Sequence, residues 1–166
     1  MTRLLPGPGV FGVFLAVIGL SAIPCGTGAA PLKERDPLFV GTKWKGKLTQ
    51  KGTFAGGVEG PPSFDILLTV TARDDHHFAA DLTEESPGIK FTYLLKGTVT
   101  PDSGEAKGYR VSFKSVGAKD VSGTTPIVGI PYTGTVSGAA LRGTWKLAKA
   151  GPGQDLAGDF TAQLVD

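Results

Sequence analysis

Residues 132–145 read YTGTVSGAALRGTW, and their patterning decides the fold class. Tyr132, Gly134 and Val136 alternate with Thr133 and Thr135, while Leu141, Gly143 and Trp145 alternate with Arg142 and Thr144. Successive side chains on a strand point to opposite faces, so each half presents one apolar or glycine face and one polar face. Ser137-Gly138 between the halves carries tight-hairpin chemistry, because glycine takes a positive φ at no steric cost. The stretch is thus predicted to be an antiparallel hairpin with one face buried and one wet.

The same grammar runs outward in both directions. Eight strand-like runs cover residues 43–54, 63–73, 77–84, 89–100, 109–116, 127–136, 141–148 and 156–165. In the first, Trp44, Gly46 and Leu48 oppose Lys45, Lys47 and Thr49. In the fourth, Phe91, Tyr93 and Leu95 oppose Thr92 and Lys96. Helical periodicity is absent from any window of useful length. Links at 74–76, 85–88, 101–108, 137–138 and 149–154 are short and rich in Gly, Pro, Asp and Ser, which argues for an up-and-down order of neighbours. Residues 55–62 and 117–125 form the longer loops. Gly46, Gly97, Gly134, Gly143 and Gly158 all share the parity of the apolar face. Inward glycines beside inward aromatics suit the coiling of a closed barrel. The expected fold is all-β, an antiparallel up-and-down barrel of about eight strands, with a two-sheet sandwich as the alternative.

Two stretches carry a resemblance to a known group. Gly41 to Trp44 at the start of the first strand, and YTGTVSGAALRGTW at 132–145, resemble the strand grammar of the calycin group, the lipocalin and avidin-like barrels. Lipocalins place Gly-x-Trp at that first position. Here the spacing is Gly-x-x-Trp, one residue longer, and the biotin-binding side chains of avidin-like chains have no residue-by-residue counterpart. The resemblance implies an up-and-down barrel and, at the level of fold, an interior able to hold a ligand.

The N-terminus reads as a targeting segment. Arg3 precedes an uncharged apolar run of about 14 residues from Val10 to Ile23, followed by small residues up to Ala30. That run is shorter than the roughly 20 residues of a membrane span. Cleavage is expected after Ala29, giving a signal peptide at 1–29, a flexible lead-in at 30–36 and a single domain at 37–166. The product would be periplasmic or secreted, with no membrane span. Cys25 suggests acylation, but Pro24 just before it departs from the lipoprotein pattern. A chain cut after Ala29 retains no cysteine, so its stability must rest on the core. Loss of Arg3 leaves 16 basic against 15 acidic residues, a balance that points to neither nucleic acid nor an acidic substrate.

Motifs for chemistry are sparse. Asp74, Asp75, His76 and His77 form the one carboxylate–imidazole cluster, but contiguous residues on an extended segment point opposite ways. They are weak metal candidates and read more simply as a solvated turn. Glu84-Glu85 reads as surface at the end of the third strand. No Gly-x-Ser-x-Gly elbow occurs, and neither Gly56-Gly57 nor Gly151-Pro152-Gly153 opens a helix. Lys43, Lys45, Lys47 and Lys51 line the wet face of the first strand, where lysine also discourages edge pairing.

The inward aromatics Trp44, Phe64, Phe91, Tyr93, Tyr109, Tyr132 and Trp145 are the candidates for lining a cavity. The leading expectation is a non-enzymatic exported barrel holding a small hydrophobic molecule, with no cofactor. An eight-stranded barrel is wide enough either to hold one small ligand or to be filled by its own side chains. The second expectation is therefore a structural or protein-interaction module with a filled core, and an enzyme ranks third. Trp44 and Trp145 are expected to share neighbours in one interior, so that their truncations would couple.

Overall fold

The computed structural model describes residues 37–52, 63–103, 108–123, 125–147 and 156–165. The expected signal peptide, the lead-in, Cys25, Phe54, Gly56-Gly57 and Gly151-Pro152-Gly153 lie outside the described residues.

Eight antiparallel strands close into one barrel in strict sequence order: β1 (Lys43–Thr49), β2 (Ser63–Asp74), β3 (His77–Ser86), β4 (Ile89–Asp102), β5 (Gly108–Ser122), β6 (Pro131–Ser137), β7 (Ala140–Leu147) and β8 (Leu156–Val165). β8 returns to pair with β1, from Lys43 opposite Val165 to Leu48 opposite Phe160. Closure leaves no sheet edge and excludes the sandwich. This architecture is compatible with the calycin-like grammar of the sequence.

Strand alternation places the core. Trp44, Leu48, Phe64, Ile66, Leu68, Val70, Tyr132, Val136, Leu141 and Trp145 all point inward and are buried. Their neighbours Lys45, Lys47, Asp65, Thr133, Arg142 and Thr144 are exposed. Apolar inside and polar outside is the reverse of a lipid-embedded barrel. Among the described residues no helix is long and apolar enough to cross a membrane.

The turns follow local chemistry. Ser86 faces Ile89 across Pro87-Gly88, with Gly88 at φ +76°, the left-handed position that a type II turn asks of its third residue. Asp74 faces His77 across Asp75-His76. The turns after β2, β4 and β6 share one end of the barrel with the N-terminal segment. The links after β1, β3, β5 and β7 gather at the other. At the first end, residues 37–42 fold over the opening and bury Leu38. Gly41 N–H donates to the Val70 carbonyl at 2.9 Å, and the Trp44 indole donates to the Pro37 carbonyl at 3.3 Å.

The bounds differ most from the sequence reading at β1, β5 and β6. β1 ends at Thr49, short of the expected 54, with Lys51 in an isolated bridge to Ala157. β5 extends to Ser122, through residues expected to be loop, because its register shifts beside Leu94 and Leu95 at a bulge. One extra residue there reverses the parity, so the alternation breaks off although the strand continues. β6 begins only at Pro131, and the residues before it run as irregular chain with Ile130 buried.

Candidate functional site

Six of the seven aromatics expected to line a cavity are buried, namely Trp44, Phe64, Phe91, Tyr93, Tyr132 and Trp145, and Tyr109 is half-buried. They pack into the core, and the middle of the barrel is occupied by rings that the cavity reading had left out. Phe113 stacks on Tyr132 with centroids 4.9 Å apart, and Phe160 meets both edge-on. Phe78 meets Phe113 at 5.9 Å. The void left between Leu48, Ile66, Leu82, Phe113, Tyr132 and Phe160 measures about 10 Å³. That is room for at most one water.

Trp44 and Trp145 both face the interior, but at opposite ends. On β8, Trp44 lies opposite Leu164 and Trp145 opposite Gly158. Those partners are six positions apart, about 20 Å along the strand. The two indoles bond separately, Trp44 to the Pro37 carbonyl and Trp145 to the Thr49 carbonyl at 3.0 Å. Their hydrogen bonds thus run to different segments of the chain.

The interior polar groups gather at the end that holds Trp145. Glu84 is inward and only 6 % exposed, contrary to its reading as a surface residue. β3 runs past it to Ser86, and Phe78, Ala80, Leu82 and Glu84 share one parity. That parity was visible in the sequence. The charge of the residue argued against it, since an unpaired buried carboxylate is costly. Tyr132 resolves the conflict by donating its hydroxyl to Glu84 Oε1 at 3.3 Å. Burial pushes the Glu84 carboxyl up to about 7, against the lowering effect of the Tyr132 bond. Burial also raises Tyr132 well above the tyrosine range, with Glu84 and Tyr93 adding to the shift. Tyr93 rises by burial and by the nearby Glu84, opposed by its backbone hydrogen bond with Ile127.

Ser115, another buried polar residue, accepts from Ile130 N–H at 3.0 Å. Gln50 Nε2 is buried without a hydrogen-bond partner. An acid poised near neutrality can give or take a proton, but general acid–base work needs it within reach of a substrate. Glu84 instead ties β3 to β6 across the barrel.

Asp74, Asp75, His76 and His77 stand exposed around their turn. Arg73 braces it, donating to the backbone carbonyls of Asp74, Asp75 and His77. Among the described residues no group of three or more His, Cys, Asp or Glu could hold a metal ion. Lys43, Lys45, Lys47 and Lys51 are exposed as read. Edge protection is not their role, because β1 has partners on both sides.

Among the described residues a larger concavity lies outside the barrel. A shallow depression of about 610 Å³ crosses β4 to β7. One register row holds Thr98, Ser112, Thr133 and Thr144, and the adjacent row Thr100, Arg110, Thr135 and Arg142. Its floor is the directly opposed pair Gly134 and Gly143, against which the Phe160 ring packs from within. A Cβ on Gly143 would overlap that ring, so glycine lets the two strands sink toward the core. The sequence showed the residues but not the concavity, which follows from the register of four strands.

No protein-family model matches the chain, and no curated protein matches it significantly. Fold and site together define the class: a closed eight-stranded up-and-down barrel with a tightly packed centre, a polar outer depression and, among the described residues, one enclosed acid.

Proposed function

We propose that this chain is an exported, non-enzymatic barrel that acts through its outer surface as an interaction module. The observation that carries this reading over an interior site is the void of about 10 Å³ at the centre of the barrel. Ligand pockets measure roughly 300–1,000 Å³. Tyr132, one of the aromatics that would have lined such a pocket, is stacked on Phe113, and Phe160 meets both edge-on. The enclosure of Glu84 and the exposed turn around His76 and His77 favour binding over catalysis. Export rests on the apolar run and small residues before Ala30.

Uptake of apolar probes tests the reading. The native protein titrated with a long-chain fatty acid and with a hydrophobic fluorescent dye is expected to show no stoichiometric binding and no quenching of Trp145. Saturable one-to-one uptake would restore the interior site.

A further inference from the structure

Charge is distributed unevenly around this barrel. Elsewhere on the barrel several exposed bases meet acids: Lys47 bonds Asp65 at 2.8 Å, Lys119 bonds Asp81 at 2.9 Å, and Lys90 meets Glu85 at 3.3 Å, while among the described residues Lys43, Lys45 and Lys51 form no ion pair. Around the outer depression the balance fails. Lys96 and Lys114 are directly opposite each other on β4 and β5. Like charges in that position destabilise a sheet. Lys146 continues the same side of the hydroxyl row on β7, and Arg110 and Arg142 flank its other side. Among the described residues, Lys96, Lys114, Lys146 and Arg142 form no ion pair. Arg110 meets Asp102 at 3.2 Å. Among the described residues, Asp159, opposite Thr144, is the other carboxylate at the border.

Between the two basic flanks runs the row Thr98, Ser112, Thr133 and Thr144, all exposed. Each hydroxyl can donate and accept, which matches the hydroxyls and ring oxygens of a sugar. A guanidinium pairs in bidentate fashion with a planar or tetrahedral anion. The row crosses four strands, about 14 Å, and the volume of about 610 Å³ suits a few sugar rings lying flat. No aromatic side chain lines the depression, so it offers no platform for stacking nucleic-acid bases.

We propose that the outer depression of β4–β7 binds an acidic polysaccharide, with Arg110 and Arg142 holding its carboxylate or sulfate groups and the hydroxyl row holding its sugar hydroxyls. The inference deepens the reading of an exterior binding module and rests on it.

The test uses the full mature chain, with polygalacturonate and heparin as probes, dextran as the uncharged control and an oligothymidylate as the nucleic-acid control. Binding to both acidic glycans is expected, weakening with salt, with dextran inert and the oligonucleotide at least tenfold weaker. The double variant Arg110→Gln/Arg142→Gln should lose tenfold or more in affinity. The charge-matched variant Lys43→Gln/Lys45→Gln on β1 should stay within twofold. Amide chemical-shift changes induced by polygalacturonate in the native chain should cluster on β4–β7, which locates the site without relying on any variant.

Absence of glycan binding, equal loss in the β1 variant, shifts centred on β1, or equally tight oligonucleotide binding would each overturn the proposal. Fatty-acid uptake with glycan binding retained would sink the solid-barrel reading alone. Lack of both would sink this inference and leave that reading standing.

Discussion

Glu84 shows how a single residue can work against the parity of its strand. It holds an inward position among apolar neighbours, and its carboxyl titrates near 7 where an exposed one titrates near 4.5. Between those values the folded chain keeps a proton that the unfolded chain has released. Stability should therefore be full below about pH 4.5, fall as pH rises, and level off above about 7. The drop amounts to about 3 kcal/mol. Glu84→Gln keeps an acceptor for Tyr132 and cannot ionise. Urea denaturation of the variant should lack this fall and give greater stability than the native chain at pH 8. A variant that loses stability at pH 8 would show that the carboxylate itself is favourable there. The two tryptophans give a second expectation at this scale. Trp44→Phe and Trp145→Phe should each cost about 1–3 kcal/mol through the space they leave. With their β8 partners about 20 Å apart along that strand, they should add within about 0.5 kcal/mol. A coupling above 1 kcal/mol would contradict their placement at opposite ends.

Among the elements, the β2–β3 hairpin and β5 carry opposite lessons. The hairpin was legible because Asp74 to His77 hold turn residues between two alternating runs. Its geometry is fixed through the backbone: Asp75 takes φ +35°, Arg73 donates to three carbonyls, and Val99 N–H donates to the His76 carbonyl at 2.8 Å. The imidazoles take no part in this. Replacing His76 and His77 with Ser should change stability by less than about 0.5 kcal/mol. The melting temperature should hold, and a clear drop, or loss of bound metal from the native protein, would assign the pair a role. β5 was cut short in the sequence reading at Val116, where the bulge shifts the parity by one residue. Alternation identifies strands only while the register is regular, and nothing local in Gly117-Ala118 announces that pairing with β4 resumes.

For the whole molecule, closure bears on the proposed export. A chain cut after Ala29 would carry no cysteine and would have to hold itself by packing, which closure supports by pairing every strand on both sides. The exported protein is expected to begin at Ala30 or within about two residues of it, as small residues at the end of a leader direct. N-terminal sequencing of protein from outside the cytoplasm checks this. An intact Met1 would refute it, and labelling by a palmitate analogue would point to Cys25.

The amino-acid sequence by itself determined the strands, their inward and outward faces and their order, because each of these is a property of neighbouring residues: alternation, turn chemistry and short links. Trp44, Tyr132 and Trp145 were legible as inward for that reason. Only the tertiary structure decided whether the barrel is hollow, since that depends on how Phe78, Phe113, Tyr132 and Phe160 from four strands meet at the axis. It also placed Glu84 beside Tyr132, 48 residues away, and aligned Arg110 with Arg142 through Thr135. Contacts between distant strands are set by register and closure, and no local pattern encodes them.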